Sequence, residues 1–222
     1  TGTDPLPSSL RKVTFMVSNM DGSAPVEWMT TLLSADATGK AYASQPQVPA
    51  KYGYRFSGWF TDPSCSEASR FDFANTPVDE NGLVLYGAYA LRLSVDIPLA
   101  AKATVEASGE VIPAKFDIVS NTPKDLNIKQ VASQAAGGAS KLVPKAGDLD
   151  KVKLAIGLGD RTVALSVKDG SSKAVAVLDA ASAGKPTVLE GSIGLELNGA
   201  QVDYQPGDDI TSLANLSWTV EA

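Results

Sequence analysis

Apolar and polar residues alternate from Lys12 to Ser18, placing Val13, Phe15 and Val17 on one face with the two-residue period of a half-buried strand. Asn19-Met20-Asp21-Gly22 supplies a turn, and Val26 to Leu33 provides the partner strand, with Trp28 on it. Residues 35–50 are polar and punctuated by proline, which predicts a loop or one short helical turn. Tyr54 to Phe60 is the central strand of this first region. Strict alternation sends Tyr54, Phe56 and Phe60 one way and Arg55 and Trp59 the other, while Gly58 permits a bulge or a close backbone approach. Leu83 to Tyr89 closes the region as another strand.

Beyond residue 91 the pattern is almost wholly strand-like. Arg92 to Ala107 predicts a long extended stretch bent at Pro98. Val111 to Val119 alternates, with Ile112, Phe116 and Ile118 inward and Lys115 and Asp117 outward. Asn127–Val131, Lys151–Leu158, Thr162–Val167, Ala174–Leu178 and Leu216–Val220 follow, separated by Gly, Asp and Ser turns. Alanine-rich 131–140 could be helical, but Gly137-Gly138 favours a loop. Ile193–Leu197, Asn198-Gly199 and Ala200–Tyr204 spell a hairpin, because a type I′ turn needs positive φ at both central residues. Many short strands without long helical periodicity predict an antiparallel β-sandwich.

Composition divides the chain at about the same place. Twelve of the fifteen aromatic residues precede residue 91, leaving only Phe116, Tyr204 and Trp218 after it. An aromatic core closes a small module because each ring buries roughly 150–250 Å². The predicted organisation is a linker remnant at 1–10, a small module at 11–90 and a sandwich at 91–222. The 222 residues suffice for two small domains, and 44% hydrophobic against 20% charged residues places the chain among folded proteins.

A net charge of −6 gives no basic footprint for nucleic acid or anionic lipid. Histidine is absent, which removes Ser-His-Asp and Cys-His catalysis and the usual zinc sites. The single cysteine, Cys65, rules out an intrachain disulfide. No stretch approaches the roughly 18 apolar residues that cross a bilayer.

Within the first region, Gly53-Tyr54-Arg55-Phe56-Ser57-Gly58-Trp59-Phe60 is followed by Phe71-Asp72-Phe73, Pro77 and Leu85-Tyr86. Residues 11–90 thereby resemble the Listeria–Bacteroides repeat, or internalin-type B repeat, of bacterial cell-surface proteins. Gly53, Tyr54, Phe56, Gly58, Trp59, Phe71, Phe73, Leu85 and Tyr86 carry the motif. Tyr89 stands where the family usually has tryptophan, and Trp28 lies on an unusually long second-strand region. The resemblance implies a β-grasp-like fold, an extracellular location (cell-attached or secreted) and no catalytic residues. Residues 91–222 are similar to β-sandwich modules of Gram-positive surface proteins.

The remaining chemistry is sparse. Gly157-Leu158-Gly159-Asp160 contains a GxG, but a strand follows it, so a hairpin turn is expected rather than a dinucleotide site. Asp79-Glu80-Asn81-Gly82, Asp148-Leu149-Asp150 and Gly207-Asp208-Asp209 offer oxygens without completing an alternating calcium loop. Lys115, Lys129 and Lys153 are the strand lysines that could enter an isopeptide crosslink, and alternation points them mostly outward. Neither a catalytic residue nor a cofactor is expected. Trp28 is the candidate contact residue, and the partner is a host protein or glycan, or neighbouring surface-protein domains. The expected function is a non-enzymatic adhesion or structural module. The alternatives are a carbohydrate-binding module of a larger secreted protein and a ligand-free stalk or pilus spacer.

Overall fold

The strand that opens the first unit shows how the pattern becomes structure. β1 (Leu10–Val17) buries Val13, Phe15 and Val17 to 0%, 1% and 3% exposure, the face that its alternation marks. The structure, a computed structural model, describes residues 7, 9–79, 82–106, 110–143, 145–201 and 212–222. The chain divides into two units, Thr1–Arg92 and Leu93–Ala222. β1 already includes Leu10, which the sequence assigns to the linker.

β2 (Val26–Ser34), β3 (Tyr54–Phe60) and β4 (Leu83–Leu91) complete a four-stranded sheet in the order β2-β1-β4-β3. β1 and β4 run parallel at its centre, and the flanking pairs are antiparallel. This is the β-grasp-like module, with its crossover from β2 to β3 irregular throughout. Ala41 and Ala43 on that crossover are buried, and Ala41 O accepts the Val78 N–H at 2.8 Å.

β3 departs from strict alternation. Phe56 pairs with Tyr89 and Gly58 with Ala88, so Ser57 is an extra residue that shifts the phase by one. Phe56 and Trp59 therefore share the core face, with ring centroids 5.4 Å apart, and Phe60 takes the reverse face. There Phe60 lies under the Arg70 guanidinium, 4.8 Å from its ring centroid, and is 2% exposed. The core proper joins Val13, Phe15, Val17, Trp59, Phe71, Val78 and Leu85, with Phe15 meeting Trp59 edge-on at 4.9 Å.

The second unit is a β-sandwich. One sheet orders β11 (Arg161–Ser166), β10 (Lys153–Leu158), β13 (Thr187–Glu196), β8 (Ala114–Ser120) and β5 (Val95–Asp96). The other orders β12 (Asp169–Leu178), β9 (Leu126–Ala135) and β14 (Ala214–Glu221), and all these pairings are antiparallel. Ile118, Leu154, Ile156 and Leu158 of the first sheet share one core with Leu126, Ile128, Val131 and Leu178 of the second. A small ribbon, β6 (Thr104–Val105) with β7 (Val111–Ile112), stands beside them.

Several expectations are corrected here. Arg92–Ala107 holds only the short β5 and β6 rather than one long strand. Ile112 is 46% exposed, because Pro113 separates β7 from β8 and ends the alternation that would bring it inward. Residues 131–135 continue β9, and a single helical turn, α1 (Ala139–Leu142), follows Gly138. The GxG is a hairpin turn: Leu158 pairs with Arg161 across Gly159-Asp160, and Gly159 has φ 59°. Asn198 (φ 46°) and Gly199 (φ 75°) form the expected type I′ turn. The strand expected over Ala200–Tyr204, like Gly207-Asp208-Asp209, falls largely outside the described residues.

Candidate functional site

β2 is the open margin of the first unit's sheet, and its sequence Val-Glu-Trp-Met-Thr-Thr-Leu-Leu-Ser carries one charge. The hairpin before it is set by Met20 (φ 66°) and Gly22 (φ 83°), with the Asp21 carboxylate accepting the Ser23 N–H at 2.9 Å. The Ser23 hydroxyl, and then that backbone contact, hold the Asp21 carboxyl below its usual range, so its charge serves the turn.

Phe15 pairs with Met29 and Met16 with Glu27, which makes Trp28 the extra residue of a bulge. A bulge frees its residue from the ladder and re-aims the side chain. Trp28 is 45% exposed, whereas Trp59 is 2% exposed. Around Trp28, Val26 (44%), Met29 (38%) and Leu32 (51%) are also open to solvent. Several large apolar side chains exposed together on one edge strand mark it as the candidate interaction surface. The residues beside Trp28 escape a reading by alternation, because Met29 pairs with buried Phe15 and yet remains exposed. The signal that finds them is the uncharged run Met29–Ser34 on an edge strand.

The motif residues sit elsewhere and hold the module together. Gly53 (φ 71°) makes the turn into β3 and accepts the Arg92 N–H at 2.7 Å. Tyr54 follows it, half-buried. Phe56, Trp59, Phe71, Phe73 and Leu85 meet in one cluster, with Phe71 and Phe73 edge-on at 4.8 Å. Gly58 (φ 149°) leaves room for Arg70, which donates to Ser57 O at 2.9 Å and pairs with Glu67. Tyr86 is half-buried on the reverse face, opposite Phe60. Trp28 is no part of this cluster.

Three carboxylates serve local structure. Asp36 accepts from Thr38 and Lys40, and Asp72 from Ala74 and Asn75, and these bonds lower both carboxyls. Asp148 pairs with Lys151 at 2.6 Å and accepts the Gln201 N–H at 3.1 Å. Among the described residues, no group of three or more His, Cys, Asp or Glu converges as a metal site. Glu80 and Asn81 lie outside the described residues. Burial, then the Asp62 charge, pushes the Cys65 thiol up and keeps it protonated. Lys115, Lys129 and Lys153 are exposed, and Lys129 faces Glu221 at 3.7 Å. No helix among the described residues is long and apolar enough to cross a membrane.

No curated protein matches the chain. Residues 12–87 match the family model of the Listeria-Bacteroides repeat domain, covering all four strands of the first sheet in whole or part. The first unit is thus a Listeria-Bacteroides repeat, a module associated with bacterial surface proteins.

Proposed function

We propose that this chain works outside the cell as a non-enzymatic adhesion module, presenting the β2 margin of its repeat unit to a protein or glycan partner. The supporting observation is the bulge that lifts Trp28 out of a module whose other tryptophan is buried. Burying a half-exposed indole and its apolar neighbours stabilises a complex in proportion to area, at about 25 cal/mol per Å² before the costs of association. Aromatic anchors are the residues that concentrate binding energy.

The test is a binding screen of the whole chain against immobilised glycans and extracellular-matrix proteins, repeated with Trp28→Ala. Saturable binding that falls on this substitution supports the reading. Binding confined to glycans would make the module carbohydrate-binding, with the indole as its stacking surface. Silence across both panels, with the variant and parent equally folded, would leave a spacer and overturn the adhesive reading.

A further inference from the structure

The first sheet has two edges, and among the described residues only one of them is covered. At β3 the Phe71 N–H donates to Trp59 O at 2.9 Å and Arg70 bridges to Phe60, so the segment after β3 closes that side. At β2, among the described residues, the only strand pairing is with β1.

The bond from Ala35 N–H to Ser9 O, 2.8 Å, sets the phase of the β1–β2 ladder. Antiparallel pairs alternate between hydrogen-bonded and non-hydrogen-bonded. Leu33, Thr31 and Met29 therefore exchange bonds with Arg11, Val13 and Phe15, their register partners. Thr30, Leu32 and Ser34 turn their N–H and C=O groups away from β1. The 3.2 Å approach of the Thr14 and Thr30 hydroxyls agrees, since side chains come closer in non-hydrogen-bonded pairs.

Edge strands are ordinarily blunted by lysine, proline, inward charge or a bulge. Met29-Thr30-Thr31-Leu32-Leu33-Ser34 contains no charge, proline or glycine. The Trp28 bulge ends the regular ladder at one side and leaves these residues pairable. Met29 shares its face with Phe15 and Leu32 shares the other with Lys12, and both are exposed. An occupant must satisfy backbone groups and also cover apolar side chains on two faces of a single strand. An extended peptide does both. The exposed side chains of Val26, Trp28, Met29 and Leu32 offer on the order of 350 Å², under half of the roughly 800 Å² that each partner of a stable globular complex buries. That favours a single strand over a second folded copy.

Resting on the adhesive reading above, we infer that β2 binds its partner by strand addition. The ligand is an uncharged, extended polypeptide segment with apolar or β-branched residues on both of its faces, paired along Met29–Ser34 and bounded by Trp28.

A display library of random peptides, about twelve residues long, panned on the full chain tests this. Enriched peptides should carry apolar or β-branched residues at both odd and even positions, and titrating one of them should protect the Thr30 and Leu32 amides from exchange. Thr30→Pro removes an outward N–H without removing a bond to β1, and Leu32→Lys places a charge on the rim. Each should weaken binding at least about tenfold, with the amide spectrum of the core unchanged. No enrichment, or binding indifferent to both substitutions, overturns strand addition. So does self-association in sedimentation equilibrium that Leu32→Lys abolishes, because the occupant is then a second copy. Protein or glycan binding that needs Trp28 but survives Thr30→Pro overturns strand addition alone and leaves the adhesive reading standing.

Discussion

Gly87 sits opposite Trp59 in the β3–β4 pairing, with the indole lying across its backbone. A Cβ added there would meet Trp59 Cζ3 at 3.0 Å, Phe56 Cε2 at 3.2 Å and Trp59 Cη2 at 3.3 Å. None of these atoms is the end of a flexible chain. Both rings are held by edge contacts, Trp59 to Phe15 at 4.9 Å and Phe56 to Tyr89 at 5.4 Å. Gly87→Ala should therefore destabilise the first unit by about 1–3 kcal/mol, the usual cost of overpacking. In a unit of this size that lowers the melting temperature by roughly 4–8 °C per kcal/mol. The origin of the cost is open to a direct check. Trp59→Phe removes the outer indole atoms, and it also removes an indole N–H that has no acceptor among the described residues. Leaving such a donor buried costs about 1–3 kcal/mol, so its loss offsets part of the lost area. In the Trp59→Phe background, Gly87→Ala should cost at least about 1 kcal/mol less than in the parent. Urea unfolding of the four proteins, read from the Phe15 and Leu85 amide signals, completes the cycle. Strict additivity would refute the steric argument.

Three further outcomes follow from the same structure. Trp28→Ala should change the stability of the first unit by less than about 1 kcal/mol in urea unfolding, since half of the ring is already in water. The Asp148 carboxyl is held below its ordinary value by its bonds to Lys151 and the Gln201 N–H. Its contribution is then present above the unfolded pKa near 4 and is lost as pH falls through the lower folded value. Asp148→Asn should accordingly lower the urea midpoint of the second unit at pH 7 and narrow its gap from the parent towards pH 2. Gly199 has φ 75°, and nothing lies within 4 Å of the place a Cβ would take, so Gly199→Ala is a test of backbone strain alone. It should cost about 1 kcal/mol in thermal unfolding of the second unit, and Gly199→Asn should restore most of it.

Strands whose outward face meets water were legible, because each position has one environment. β1 and the Asn198-Gly199 turn follow from residue type and spacing. Ile112 did not, since Pro113 detaches it from β8 and it pairs instead with Thr104 in a separate ribbon, where it is exposed. β9 extends to Ala135 because two neighbours bond it over that length, β12 from one side and β14 from the other. Its run of small residues carries no strand signal of its own, so tertiary pairing decides it. The motif residues of the first unit are recognisable as a set, and five of them, Phe56, Trp59, Phe71, Phe73 and Leu85, pack into one cluster.

The two places where alternation fails in the first sheet are both bulges, and their consequences differ. At Ser57 the extra residue turns Trp59 inward beside Phe56, and the Phe60 it displaces is covered by Arg70. At Trp28 the extra residue leaves an indole and its neighbours half exposed. The first case is accommodated by a glycine: Gly87 lets the indole cross its strand, as Gly191 lets the ring of its partner Phe116 cross in the second unit. β3 has one strand neighbour, as β2 has, but the segment after β3 closes its free side, whereas among the described residues β2 pairs with β1 alone. A bulge on a covered edge is completed by its neighbours, whereas a bulge at an open edge presents its residue to solvent. Trp28 and the uncharged run after it are thus the surface on which the proposed strand addition would act.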